Sequence, residues 1–426
     1  MENKIRIAIV GSGISGLVCS YFLNKHFEIK LYEKNDYVGG HSNTVDINYD
    51  GNKIAVDTGF IVFNHQTYPN LKAFFELLKV DYQPSKMSFA VKIDDSKIEY
   101  AGTNLKAVFA QKKNLLNPQF IKMLFDILRF NKTAQDLLNQ EKNLDYSMIN
   151  FLKDLKVGKY FQEYYLLPMA SAIWSTPLNK IHDYPASSFV RFFKNHGLLT
   201  VNDQPQWLTV SNGSRQYVNK VCANFMDKIS LNDEVQKIYQ NPEKKWVIES
   251  QKSTEIFDKI VIASHADQAL KFIQNPTSQQ QEILSSFNYQ KNLAVLHRDC
   301  AVMPKSKKAW ASWVYSHNSS GENLEKNNLS VSYWMNNLQN INHSYPLFVT
   351  LNPNIRIEEK NIFAKFEYDH PIFDAKAVKA QERIDEIQGQ DEIYFCGAYQ
   401  SFGFHEDGIS SAIRVLNKLQ IKTPWQ

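Results

Sequence analysis

Gly11, Gly13 and Gly16 lie in the run Ile5-Arg6-Ile7-Ala8-Ile9-Val10-Gly11-Ser12-Gly13-Ile14-Ser15-Gly16-Leu17, a G-x-G-x-x-G directly behind a short apolar strand, and Glu33 ends the next strand. A bare glycine triplet says little. This one has the full context of strand, tight turn, apolar helix, second strand and acid that a dinucleotide site requires, which argues against a glycine-rich turn with no ligand. Ile5 to Val10 is apolar apart from Arg6 and suits a strand buried on both faces. Gly11 permits the turn, Gly13 lets backbone approach a pyrophosphate, and Gly16 lets the following helix, expected over Ser15 to Asn24, pack close to the strand. The start of that helix offers free N–H groups and a positive dipole end to phosphates. Glu33 has the spacing of the acid that takes both ribose hydroxyls; a carboxylate there repels a 2′-phosphate and disfavours NADP. Ser12 and Ser15 inside the motif, and Lys34 beside the acid, join the candidate contacts.

At 426 residues the chain exceeds what one compact core usually covers, so two intertwined domains are expected. Its 43% hydrophobic content is ample for a core, and 13% aromatic content leans towards an enclosed apolar pocket. A net charge of +4 is too small and dispersed for a nucleic-acid partner. Four cysteines without C-x-x-C spacing read as buried, reduced thiols of a cytoplasmic protein. The early first strand leaves no signal or transit peptide, no apolar stretch reaches transmembrane length, and the scattered histidines predict no metal site.

Past Glu33 comes a second glycine pair, Gly39-Gly40, followed by His41. A hairpin is expected from Thr44 to Asp57 around an Asp50-Gly51 turn. Then Asp57-Thr58-Gly59-Phe60 sets an acid and a glycine where backbone can meet a flavin ring. Near the far end, Ile393 to Gly397 reads as a buried strand and Gly408 to Leu416 as a helix with Asp407 placed to cap it.

Glu33 and Gly39-Gly40 behind the triplet resemble the glutathione-reductase-type FAD fold, in its amine oxidase, protoporphyrinogen oxidase and phytoene desaturase branch. The resemblance implies FAD as cofactor. It brings the C-terminal strand and helix back to the flavin, with backbone N–H groups near Gly408 and Ile409 at the edge where negative charge grows on reduction. Two positions depart from the branch. His41 stands where an arginine usually contacts the pyrophosphate, and Ala398, after Gly397, stands where an acid usually binds ribityl or phosphate oxygens. The resemblance also assigns Val235 to the adenine and makes Asp258 to Ser264, including Ala263, another buried strand. The fold class implied is α/β, a Rossmann-like FAD-binding domain of glutathione-reductase type, built from 1–85, 205–270 and 385–426. A discontinuous α+β substrate domain takes 86–204 and 271–384.

Longer strings, such as Gly39 to Thr44, Val56 to Asn64, Tyr333 to Gln339 and Gly403 to Gly408, look like a bacterial group of FAD-dependent oxidoreductases often linked with lipid methyltransferases. One branch of that group is implicated in desaturating methylated acyl chains on the way to furan fatty acids. That implies an apolar small-molecule or phospholipid acyl substrate. Phe120, Met123, Leu124, Ile127 and Leu128, flanked by Lys122 and Arg129, repeat at helical spacing; such a stripe either dips into a membrane surface or packs on its own domain. Flavin accepts the hydride, and Tyr399, His405 and Glu406 are the candidates for moving a proton. Trp174 is a candidate for lining the pocket or for the core. The rivals are an amine oxidase, for which Lys291 and Lys308 are candidates to hold a water near the flavin, a carotenoid or porphyrinogen oxidase, and a non-catalytic nucleotide-binding partner of a lipid methyltransferase.

Overall fold

The computed structural model describes residues 4–93, 98–139, 146–174, 182, 184–195, 197–199, 205–317 and 329–426. The apolar run of the motif forms the strand Arg6–Val10, with Ile7 to Val10 buried. It is the centre of a five-stranded parallel sheet ordered Ile229–Ser230, Glu28–Tyr32, Arg6–Val10, Lys259–Ile262, Ile393–Phe395. Burial on both faces explains the unbroken apolar runs Ile7–Val10 and Ile260–Ile262 of the two central strands. The helix Ile14–Leu23 lies against this sheet, and Leu17, Val18 and Phe22 share one core with Ile409, Ile413 and Leu416 of the helix His405–Lys418. A three-stranded antiparallel meander, Val235–Gln240, Trp246–Ser250 and Thr254–Phe257, leads into Lys259–Ile262.

The hairpin pairs Thr44–Tyr49 with Asn52–Asp57. Asp50 (φ 49°) and Gly51 (φ 92°) are both left-handed, the geometry of the tight turn that matches strand twist.

A second, seven-stranded sheet is ordered Ile362–Ile372, Asn288–His297, Phe348–Leu351, Leu329–Trp334, Trp313–His317, Phe89–Ile93, Ile98–Ala101. Every neighbouring pair is antiparallel except Trp313–His317 with Phe89–Ile93. The helices Pro118–Leu138 and Ala186–Asn195 cover it: Phe120, Met123, Phe130, Phe189 and Phe193 form one core with Val91, Tyr100 and Tyr315 of the sheet. The chain is therefore an α/β protein with a Rossmann-like nucleotide-binding module and a separate sheet-rich region.

The stripe on Pro118–Leu138 is mostly core. Phe120 and Met123 are fully buried, Leu124 and Ile127 are half-buried, and only Leu128 is exposed. Among the described residues, no helix is long and apolar enough to cross a membrane.

Candidate functional site

The carboxyl ends of Arg6–Val10 and Lys259–Ile262 border the place where a doubly wound sheet binds nucleotides. Gly11 turns there at φ +99°, donating its N–H to the Tyr32 carbonyl at 2.9 Å. A Cβ on Gly16 would lie 1.9 Å from the Gly11 carbonyl oxygen, so the helix can approach the turn only without a side chain. A Cβ on Gly13 would meet nothing within 4 Å. The loop thus has a packed back, formed in part by Ala263, and an open front at Gly13.

Glu33 is buried. It accepts the Ser12 N–H at 3.0 Å, the Ser12 hydroxyl at 2.6 Å and the Asn35 N–H at 2.9 Å. The motif itself therefore holds this acid in place through Ser12. Ser12 Oγ also accepts the Gly39 N–H at 3.2 Å, and a Cβ on Gly40 would lie 3.2 Å from Gly13 Cα, so the glycine pair is folded onto the first loop. The Ser15 hydroxyl donates to the Gly408 carbonyl at 2.9 Å, tying the glycine-rich helix to the C-terminal one. Lys34 is exposed beside the acid, and Val235 lies two residues beyond Asp233, whose N–H bonds the Glu33 carbonyl at 2.9 Å.

His41 follows the pair. Its ring stacks on Tyr368 at 4.8 Å and lies 5.6 Å from that of His370, and its buried Nε2 has no hydrogen-bond partner. Burial pushes the imidazole down to about 4, with the charge of His265 acting the same way. The Thr58 hydroxyl contacts the Asn43 carbonyl at 3.1 Å and the Tyr368 phenol at 2.7 Å. Gly59 lets this segment pass His41: its Cβ would be 2.3 Å from the His41 carbonyl, which accepts the Phe60 N–H at 2.7 Å.

The C-terminal helix begins at His405, three residues ahead of the expected Gly408. Asp407 is therefore not the capping residue. It sits in the first turn and its carboxylate accepts the Phe404 N–H at 2.9 Å, while burial raises it to about 6. Gly408 N–H bonds the Phe404 carbonyl at 3.0 Å and Ile409 lies deeper in the helix, so neither is the free donor expected; the N–H groups without an intrahelical acceptor are those of His405 to Asp407. Gly397 donates its N–H to Ser411 Oγ at 2.9 Å, and the Ala398 carbonyl accepts from Gly403 at 3.1 Å.

The three proton-transfer candidates separate. His405 stacks on Phe60 at 3.8 Å, and its Nε2 is 2.8 Å from Ser42 Oγ and 3.3 Å from the Tyr217 hydroxyl, which itself bonds Ser42. It does not titrate near neutrality, because burial brings it to about 3. Glu406 is turned away to the helix Pro69–Leu77, accepting the Asn70 N–H, the Asn70 side-chain amide and the Leu71 N–H at 3.1, 2.7 and 3.0 Å, which corrects the proton-transfer role to a cap supplied from a distant helix. Tyr399 is core: it is buried against Phe287 at 4.8 Å, with its ring beneath Gly397. Ser42, Tyr217, His265, Tyr368 and His370 escaped the sequence reading. Only His265, directly behind a strand end, carries a local signal. The Trp174 side chain lies outside the described residues, among which no group of three or more His, Cys, Asp or Glu could hold a metal.

The model of the NAD(P)-binding Rossmann-like domain matches residues 9–78. Among curated proteins, none matches the chain by sequence. Solved structures match over nearly its whole length. A putrescine oxidase mutant superposes with TM-score 0.69 at 14% identity, covering 98% of this chain and 100% of that one. The chain has the fold of that oxidase. Cyclohexylamine oxidase from Brevibacterium oxydans IH-35A gives 0.67 at 12% identity over 98% of this chain and 100% of its own. A fatty acid isomerase from P. acnes that produces CLA gives 0.67 at 14% identity over 98% and 99%. The residues around the loop fit a dinucleotide: a fixed acid, open space at Gly13 and an orphaned, buried imidazole nitrogen.

Proposed function

We propose that the chain is an FAD-dependent oxidoreductase that removes a hydride from an apolar, acyl-type substrate. The observation that carries the cofactor reading is the second glycine pair folded onto Gly13 beneath the returning C-terminal helix. In this reading 1–85, 205–270 and 385–426 hold the cofactor and 86–204 and 271–384 the substrate. Glu33 would take ribose hydroxyls, Gly13 and His41 the diphosphate, and the N–H groups of His405 to Asp407 the electron-rich edge of the flavin. The bound flavin supplies the hydride acceptor. The buried Ser42–Tyr217–His405 network holds the helix start in place while staying neutral.

An apolar substrate is supported by the rings before His405. Phe404 stacks on Phe192 at 5.2 Å, and Phe402 lies 5.6 Å from Phe192. The fatty acid isomerase with the same fold points the same way. An amine substrate lacks that support: Lys291 and Lys308, its candidates, are both exposed. Anaerobic mixing of the FAD-loaded protein with unsaturated or methylated acyl lipids, the products of a lipid methyltransferase, is expected to bleach the flavin absorbance. Bleaching by simple amines and not by lipids would replace this reading with amine oxidation, and a protein that binds no FAD would end it.

The substrate's origin bears on the exposed side chains between residues 105 and 128. Leu105, Leu115, Leu116, Phe125 and Leu128 are 76%, 54%, 88%, 67% and 56% exposed, with Lys106, Lys112 and Lys113 among them. Apolar side chains beside cations suit an anionic lipid surface. Sedimentation with phosphatidylglycerol vesicles is expected for the parent chain, and at least fivefold less, by order of magnitude, for Leu116→Ser/Phe125→Ser; equal sedimentation of the two would remove the membrane from the proposal.

A further inference from the structure

Four imidazoles come from four separate elements, and the rings of two of them, His41 and His370, lie 5.6 Å apart. His41 follows the glycine pair that backs onto Gly13, whereas the His265 ring stacks on Tyr289 at 4.3 Å at the start of the helix Ala266–Phe272. His370 is on the strand Ile362–Ile372, and His405 opens the C-terminal helix. His41 is central. Its ring is 5.6 Å from that of His370, and it lies within electrostatic reach of His265 and His405. The Nε2 of His41 is buried and unpartnered, although its ring is firmly stacked on Tyr368. A buried nitrogen without a partner is costly unless something else completes the site. The other groups facing the cluster are Lys34 and Asp369 at His265, Asp369 again at His370, the phenols of Tyr37, Tyr289 and Tyr368, and the carboxylates of Glu33 and Asp36 at Tyr37. One exposed ammonium against the carboxylates of Glu33, Asp36 and Asp369 leaves this place without the fixed positive charge that a diphosphate calls for.

We propose that His41, beside His370, is a proton-loaded seat for the diphosphate of the dinucleotide: the site is neutral without the anion and takes up a proton on His41 as the anion enters. This inference rests on the FAD reading above. In the free protein, burial keeps His41 neutral, with a value of about 4. A diphosphate within hydrogen-bond reach reverses the balance, because an opposite charge favours the imidazolium. The complex then holds a proton that the free protein lacks. Affinity is fully present at low pH and is lost as pH rises through the window between the free value and the higher value in the complex. Its slope approaches about tenfold per pH unit.

The test is the dissociation constant of FAD, read from flavin fluorescence quenching on the apoprotein at about pH 5.5, 6.5 and 7.5. Proton uptake comes from calorimetry in two buffers of different ionisation enthalpy. Binding about tenfold weaker at the highest pH than at the lowest, with net proton uptake on binding, is expected. A His41→Arg variant, carrying a fixed charge, is expected to bind with little pH dependence, and so is His41→Gln, which can donate without titrating. A constant that stays flat with pH, with no proton taken up, overturns the proton-loaded seat and leaves FAD binding intact. A His41→Gln variant as steep as the parent overturns the assignment to His41. Failure to bind FAD at every pH overturns both this inference and the reading beneath it.

Discussion

A Gly13→Ala variant is expected to fold as the parent does and to hold FAD about a hundredfold more weakly. The backbone at this position is extended, at φ −64° and ψ 177°, which alanine adopts freely, and a Cβ built there touches nothing within 4 Å. The methyl group therefore costs the folded protein little. It occupies the open front of the loop, where the diphosphate would accept backbone N–H bonds at the helix start. Losing about two charge-assisted bonds of roughly 1.5 kcal/mol each corresponds to about a hundredfold in affinity. Gly16→Ala is the contrasting control. Its Cβ would press to 1.9 Å from the Gly11 carbonyl, so it should lower both the thermal midpoint and the FAD affinity. Titration with FAD and thermal unfolding of the apoprotein separate the two effects. Unchanged FAD affinity in Gly13→Ala would place the diphosphate elsewhere.

The same contrast explains what could be read from the sequence. The glycine motif, the strands around it and the Asp50-Gly51 hairpin were legible because each is a local pattern: apolar period, turn residue and acid at fixed spacing. The departures arise where long-range contacts reassign a side chain. Ser12 and Ser15 sit within the motif, yet one holds Glu33 and the other the Gly408 carbonyl 393 residues away. Glu406 reads locally as a helix-start acid or a base, but Asn70 and Leu71, brought in by another helix, claim its oxygens. The helix itself starts early because Asp407 bonds the Phe404 N–H, an arrangement a single acid in sequence does not distinguish from a cap. His370 and Tyr368 belong to the second sheet, so no spacing in the chain connects them to His41.

Asp57 shows how much of the fold hangs on one such long-range meeting. Its side chain is 1% exposed and accepts from the Thr44 hydroxyl at 2.6 Å, the Ser214 N–H at 2.9 Å, the Ser214 hydroxyl at 2.7 Å and the Gln339 amide at 2.8 Å. Its own N–H donates to Gln339 Oε1 at 2.9 Å. The carboxylate thus joins the hairpin, the residue before the helix Arg215–Cys222, and the turn after Met335–Leu338. Asp57→Ala strands these donors in a buried place, and a loss of about 3–5 kcal/mol is expected in urea unfolding of the apoprotein. Asp57→Asn keeps the shape but turns an amide N–H₂ towards donors, so it should recover only part of the loss. Burial raises the Asp57 carboxyl from 3.8 to about 6, while the hydrogen bonds from Thr44 and Ser214 and the charge of Arg215 pull the other way. Between those values the folded state holds a proton that the unfolded state releases, so this group's contribution to stability falls as pH rises through that window and is constant above it. The deficit of Asp57→Asn relative to the parent should accordingly be larger at about pH 5 than at about pH 7. An unfolding midpoint equal to the parent's at both values would mean that the three elements meet without needing the acid.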